Sequence, residues 1–224
     1  MCGRFYLDAK TDELLAFFGL SSIPHLPTRY NIAPSQSILA ITNSTEGLHA
    51  GVYRWGLLPF WAKQDKSTFH TINARIETVE SKPAFRTPFR SRRCLIPASG
   101  YYEWQKQPSA KQPYCIRPDN GPLMAFAGLY DRWTDPQGGS VDSCTIIVAD
   151  ASTSLRPIHE RMPVILQPEY FKAWLDRDQH DVSNLKALLA QRLTEGFETF
   201  PVSTHVNNPR NDDPRCIEPL STLL

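Results

Sequence analysis

Proline recurs along the whole length of this chain, 19 times in 224 residues, where average usage of about 5% would give roughly 11. Each proline fixes φ and removes a backbone donor, which closes helix interiors and central strand positions to it. No single linker collects them, so the chain is confined to short elements joined by stiff loops. Apolar, β-rich runs at 38–42, 94–97, 114–117, 123–129, 144–149 and 163–166 fit that constraint, each bounded by Pro, Gly, Asp or Ser. Helices are fewer. Thr11 is placed to cap a segment whose Leu14, Leu15 and Phe18 share a face, with Gly19 as its stop. Pro168 suits a first helical turn before Tyr170, Phe171, Trp174 and Leu175, and Ser183 is placed to cap a third segment carrying Leu185, Leu188, Leu189 and Leu193. Strands and helices do not alternate regularly, which predicts an α+β fold with largely antiparallel sheet and not a doubly wound one.

The length allows one large domain or two small ones, and 41% hydrophobic residues, 11% aromatic, supply a folded core. Net charge is only +1, so a polyanion would have to be held by local clustering of Lys and Arg. One stretch shows such clustering: Arg75, Lys82, Arg86, Arg90, Arg92 and Arg93 against Glu77 and Glu80. A solvated loop with a chance excess of positive charge explains it equally well. The five cysteines (Cys2, Cys94, Cys115, Cys144, Cys216) are odd in number and widely spaced, with no CxxC and no Cys/His cluster at zinc-ligand spacing. Neither a disulfide framework nor a bound metal is expected, and no cofactor is called for. The start lacks a basic segment followed by an apolar run, and no stretch approaches the ~20 apolar residues of a membrane span. A protein of the reducing cytoplasm, nucleoid included, with no membrane partner, is the expectation.

Cys2 stands directly after the initiator methionine. It is an ordinary second residue unless Met1 is trimmed, in which case it becomes a 1,2-aminothiol. An aldehyde can then be taken by the amine as an imine and by the sulfur in a second step, closing a thiazolidine. An α-amino group titrates near pH ~7.7–8.0, so roughly a tenth of it is nucleophilic at neutral pH, and the tethered thiol gives ring closure a high effective molarity.

Four polar clusters stand beside it. In Thr71-Ile72-Asn73-Ala74-Arg75, strand alternation puts Asn73 and Arg75 on one face, with Ile72 and Ala74 on the other. Gly100-Tyr101-Tyr102-Glu103-Trp104 embeds a carboxylate among aromatics, where low polarity would raise its pKa toward a range useful for proton transfer; a glutamate at a plain sheet edge has the same local sequence. Pro157-Ile158-His159-Glu160-Arg161-Met162-Pro163 carries one histidine between apolar residues, a pattern that also suits a satisfied structural imidazole. In Arg54-Trp55-Gly56-Leu57-Leu58-Pro59-Phe60-Trp61, Trp55 is expected in the core. Phe60 and Trp61 follow a proline turn and lead into the polar 63–68 stretch, which places them at an exposed loop tip.

Taken together, residues 1–5 (Met-Cys-Gly-Arg-Phe), Arg29-Tyr30-Asn31-Ile32-Ala33-Pro34, Arg54-Trp55-Gly56-Leu57, Asn73-Ala74-Arg75, the 93–104 run, 159–164 and 202–207 resemble the SRAP (SOS response-associated peptidase) family, nearly end to end. Its members shield abasic sites in single-stranded DNA by becoming covalently bound to them. The resemblance implies a single domain over residues 1–224, with barrel-like, largely antiparallel sheets and flanking helices, expected as a monomer. It implies that Cys2 captures the ring-opened aldehyde of an abasic deoxyribose once Met1 is gone, by autoproteolysis or otherwise. Asn73 would hold the amine and the product ring, Glu103 would act as general acid/base, and His159 would protonate or orient the sugar oxygen. For the DNA it implies Arg4 and Arg75 on phosphates, Phe60 and Trp61 wedged against stacked bases, and Trp104 near the strand, none of which reads sequence. Arg156, Arg161 and Arg210 are further candidate contacts. The alternative is a thiol peptidase or amino-terminal nucleophile hydrolase built on Cys2 with His159 and Asn73. A third is a non-enzymatic single-strand-binding module.

Overall fold

The short runs between prolines and glycines fold as strands of two sheets in the structure, a computed structural model that describes residues 2–63, 71–135 and 137–220. In chain order the strands are β1 (Phe5–Leu7), β2 (Arg29–Ile32), β3 (Ser37–Ser44), β4 (Gly47–Trp55), β5 (Asn73–Arg75), β6 (Arg93–Ala98), β7 (Gly100–Lys106), β8 (Lys111–Pro118), β9 (Met124–Thr134), β10 (Ser140–Asp150), β11 (Arg161–Pro163), β12 (Ile165–Leu166) and β13 (Phe197–Pro201). Among the described residues the α-helices are α1 (Thr11–Phe18), α2 (Arg86–Ser91), α3 (Phe171–Trp174) and α4 (Val182–Ala190).

Strands β4, β3, β6, β9 and β10 pair in that order, and β10 pairs back onto β4, which closes a five-stranded barrel. Only the closing β10–β4 pair of the ring is parallel. Strands β5 and β11 extend β10, and β12 extends β9. The second sheet, in the order β13-β8-β7-β1-β2, is antiparallel throughout. Side-chain alternation along the barrel strands separates two cores. On one side Leu95, Leu129 and Ile147 pack with Leu14 and Phe18 of α1, Phe171 and Trp174 of α3 and Leu185 of α4. On the other, Ile96, Phe126 and Ile146 pack with Phe5, Tyr101 and Ile116 of the second sheet. The α+β expectation, with mainly antiparallel sheet in a single compact domain, describes this architecture.

Local signals were met in part. Gly19 ends α1 at φ 66, a left-handed conformation that glycine adopts without strain. The cap expected at Thr11 lies one residue earlier: Lys10 is the N-cap, and its N–H donates to the Glu13 carboxylate at 2.8 Å. Likewise Asp181, not Ser183, caps α4 by accepting from Asn184 N at 2.9 Å. Leu193 lies beyond that helix, its N–H donating to Ile165 O. Pro168 opens a 3-10 turn that runs into α3. The 163–166 run divides between two strands because Val164 serves both neighbours: its N–H donates to Ile147 O on β10, and its carbonyl accepts from Ala127 N on β9, each at 2.8 Å. Gly100 is required where β7 leaves β6; a Cβ there would meet the Tyr6 ring at 2.4 Å and Ile116 O at 2.8 Å. Among the described residues no helix is long and apolar enough to cross a membrane.

Candidate functional site

Strand β1 lies between β7 and β2, inside the second sheet, which draws Cys2 into the molecule. Phe5 pairs with Tyr101 and Tyr6 with Gly100. Tyr102 N then donates to Arg4 O at 2.9 Å, extending the ladder beyond β1 toward Glu103. Cys2 ends fully buried, in the cluster formed by Phe5, Trp55, Ile72, Tyr101 and Phe126. Burial, followed by the charge of Glu103, raises its thiol pKa far above the usual value.

Glu103 is only 3% exposed. Burial pushes its carboxyl pKa up to about 8, so at neutral pH it is largely a proton donor. His159 Nε2 lies 3.8 Å from Glu103 Oε2. The other ring nitrogen, Nδ1, accepts from Arg161 N at 3.0 Å and stands 3.2 Å from Arg161 O. The neutral ring therefore carries its proton on Nε2, toward the carboxyl, while a protonated ring could donate Nδ1–H to the carbonyl. Burial lowers the His159 pKa, which favours the neutral form.

Asn73 begins β5, paired with Ile146 on β10. It is 6% exposed, and among the described residues neither its Nδ2 nor its Oδ1 has a hydrogen-bond partner. An amide left buried and unpaired is unfavourable by about 1–3 kcal/mol, and such exceptions in folded proteins call for a missing partner. Arg75 shares the Asn73 face by alternation and is exposed. Ile72 departs from the expected pattern. It precedes the strand and packs in the Cys2 cluster, while Ala74 packs in the opposite core, because its carbonyl is held by Trp55 Nε1 at 3.0 Å and Ile146 N at 3.2 Å.

The expected nucleic-acid contacts divide into two groups. Arg4 is half-buried and turned partly inward: Nη1 donates to Asn31 Oδ1 and Val206 O, both at 2.8 Å, and the guanidinium lies 5.8 Å from the centre of the Trp104 ring. Trp104 in turn donates to Asn207 Oδ1 at 2.7 Å. Phe60 and Trp61 are each 55% exposed at a loop tip, while Trp55 is fully buried. That loop is held from below. Asp131 accepts from Phe60 N at 3.0 Å and pairs with Arg92 Nε at 3.3 Å; Arg92 reaches over the Phe60 ring, and Trp133 Nε1 donates to Ala62 O at 2.7 Å. The polar 63–68 stretch beyond lies outside the described residues except for Lys63.

The basic run is smaller than its sequence suggests. Arg93 is buried, donating to Trp174 O, Phe89 O, Arg90 O and Asp176 O, and Arg92 is engaged with Asp131. Arg161 pairs with Glu77 and Asp150, while Arg156 and Arg210 are exposed. The sequence did not mark Asn31 and Asp212. Fully buried Asn31 donates to the carbonyls of Val206, Asn208 and Asn211 at 3.1, 3.1 and 2.6 Å. Asp212 accepts from the backbone of Tyr30 and Asn31 and from Arg29. The two residues join β2 to the 202–212 segment beneath Arg4 and Trp104. Asn31 lies in one of the quoted motifs, but a role made of carbonyls 175 or more residues away leaves no local trace.

All five cysteines are free and buried. His205, Asp213 and Cys216 bring donor atoms within 4.8 Å of one another. They are accounted for without a metal: Arg215 takes both Asp213 oxygens, and His205 Nδ1 meets Asn211 Nδ2.

A closed mixed β-barrel carrying a second sheet, with a buried second-position cysteine near a proton-holding carboxyl that faces an imidazole, defines a compact domain built around a candidate amino-terminal nucleophile. The chain belongs to the SRAP family: the model described as SOS response associated peptidase matches residues 1–209. It is 42% identical to the abasic site processing protein YoqW of Bacillus subtilis, over 97% of this chain and 99% of that one. It is 38% identical to the abasic site processing protein HMCES of Gallus gallus, over 75% of this chain but 56% of that longer protein. A crystal structure of a Bacteroides thetaiotaomicron protein superimposes with a TM-score of 0.86 at 28% identity, covering 98% of this chain and all of that one.

Proposed function

We propose that this protein processes abasic sites in DNA, capturing the lesion in single strands through Cys2 after loss of Met1 and becoming covalently bound to it. The observation that carries the reading is the buried Glu103 carboxyl, with a pKa of about 8, set between the Cys2 cluster and His159 Nε2 at 3.8 Å. Relatives named abasic site processing proteins, at 42% and 38% identity, support the lesion as substrate.

An abasic deoxyribose is mostly a cyclic hemiacetal, so a proton donor at its ring oxygen raises the fraction of open aldehyde. Glu103 in its acid form supplies that proton, and neutral His159 orients the oxygen. The Cys2 amine adds to the aldehyde, and Glu103 assists as the carbinolamine loses water. The sulfur then adds to the imine carbon, the C=N electron pair moves to nitrogen, and the thiol proton follows, giving thiazolidine and one water. Asn73, with both amide atoms open, has the donor and the acceptor to hold amine and ring. The thiol peptidase alternative wants a thiolate paired with imidazolium; burial that keeps the Cys2 thiol protonated favours attack by the amine first.

The test is a denaturing gel after mixing purified protein with a single-stranded oligonucleotide bearing one abasic site. The reading expects a denaturant-resistant adduct, absent with intact oligonucleotide and absent for Cys2→Ala. Equal adduct from Cys2→Ala would refute it.

A further inference from the structure

We infer that the Tyr101 hydroxyl positions the Cys2 sulfur, donating a hydrogen bond to it as the sulfur adds to the substrate carbon; this rests on Cys2 being the nucleophile of the proposed reaction. Tyr101 is fully buried in the same side-chain cluster as Cys2. Its ring is locked edge-on against Phe126, with centroids 6.1 Å apart, and its strand position opposite Phe5 is fixed by register. Two residues along β7, alternation sets Glu103 on the same face.

Among the described residues the Tyr101 hydroxyl has no hydrogen-bond partner. The neighbouring tyrosines behave differently: Tyr102 donates to Tyr30 O at 2.7 Å, and the Tyr6 hydroxyl meets Cys115 Sγ at 3.9 Å. A buried, unpartnered phenol in a packed core is unfavourable, and phenylalanine would fill the same space without it. Burial raises the Tyr101 hydroxyl pKa well above its usual value, and the negative forms of Cys2, then Glu103 and Cys115, add to that rise, which makes the Cys2 sulfur its foremost titratable neighbour. A thiol is a weak acceptor and a developing thiolate a strong one, so the interaction grows as the sulfur becomes nucleophilic. Tyr101 keeps its own proton throughout; the thiol proton passes to the ring nitrogen as the S–C bond forms. Among the described residues, the other titratable groups around the pair are Glu103 on β7, with His159 behind it, and Cys115 on β8.

The experiment compares Tyr101→Phe with the unaltered chain, both freed of Met1, without DNA. Iodoacetamide alkylation of Cys2 is followed against pH by mass spectrometry of its peptide, which separates it from the other four cysteines. Loss of the donor is expected to slow Cys2 alkylation about tenfold at fixed pH, the size of one net hydrogen bond. Thermal unfolding should be unchanged or shifted upward, since only an unpartnered hydroxyl is removed. An alkylation profile that matches the unaltered chain overturns the inference. A parallel incubation with abasic oligonucleotide should show adduct forming more slowly in Tyr101→Phe at equal DNA affinity. If neither protein forms adduct while the alkylation shift is present, the Tyr101–Cys2 interaction stands and the abasic-site reading fails.

Discussion

Glu103 Oε2 and His159 Nε2 stand 3.8 Å apart, and the surroundings drive the two groups toward neutrality from opposite sides: burial raises the carboxyl to about pH 8 and lowers the imidazole. Capture needs Glu103 protonated and the Cys2 amine uncharged. A free α-amino group loses its proton near pH ~7.7–8.0, and Glu103 loses its own near 8. The rate of adduct formation is therefore expected to peak near pH ~8 and to fall on both sides. Burial lowers the His159 pKa, which keeps the ring neutral at the peak. Single-turnover rates from about pH 6 to 10 test this, and a rate still climbing at the alkaline end would contradict the Glu103 assignment.

Glu103 also makes stability depend on pH in the direction opposite to a salt-bridged carboxylate. Its folded pKa of about 8 lies above the ordinary glutamate value of 4.5, so between those values the folded state binds more protons than the unfolded one, and stability falls as pH rises. Replacement by a neutral amide removes that loss. Glu103→Gln is expected to melt several degrees above the unaltered protein near pH ~9, with the gap, on the order of a few kcal/mol, closing toward pH ~4.5. The same change should slow adduct formation by about a hundredfold or more, the scale of a lost general acid. Melting curves at the two pH values check the first part; a variant less stable than its parent near pH ~9 would count against it.

The exposed pair Phe60 and Trp61 should matter to DNA and little to the fold. Each replaced by alanine is expected to weaken binding to abasic single strands by about 1–3 kcal/mol per lost stacking contact, with unfolding moved by no more than ~0.5 kcal/mol. Asp131, which holds Phe60 N and Arg92, gives the complementary case: Asp131→Asn should loosen the loop and lower affinity without touching Cys2 chemistry. Fluorescence anisotropy with a labelled oligonucleotide measures both. Unchanged affinity in the Phe60 and Trp61 variants would remove this loop from the DNA face.

Asn31→Ala is expected to be among the more damaging single changes. It strips donors from the carbonyls of Val206, Asn208 and Asn211 and the acceptor from Arg4, leaving buried polar groups unpaired at about 1–3 kcal/mol each. Denaturant unfolding should show a loss of about 3 kcal/mol or more, and surviving protein should bind DNA less well because Arg4 and Trp104 rest on the same segment.

Residue type alone singled out a second-position cysteine, a carboxyl among aromatics, a single histidine and an amide on a strand, each with a structural alternative, and the resemblance to a family supplied their expected roles. The geometry adds what type alone leaves open, that Glu103 is buried and meets His159. The strand runs also showed through, since proline and glycine bounded them. Barrel closure did not, because pairing β10 back onto β4 joins residues some 90 positions apart. The basic run misled for the same reason. Nothing local distinguishes Arg90, exposed at the end of α2, from Arg93, which spans four carbonyls in α2, at the end of α3 and just beyond it. Helix caps slipped by one or two residues where Lys10 with Glu13, and Asp181, served in place of Thr11 and Ser183.

The central claim is that Cys2 closes a ring on the lesion with both its amine and its sulfur. The most direct measurement is the intact mass of the adduct formed with an abasic oligonucleotide, followed by sequencing of the modified peptide. The expected mass is that of the chain without Met1 plus the oligonucleotide less one water, in an adduct stable without a reducing agent and modified on Cys2. An adduct that retains Met1, or that maps to a lysine and survives only after reduction, would contradict it.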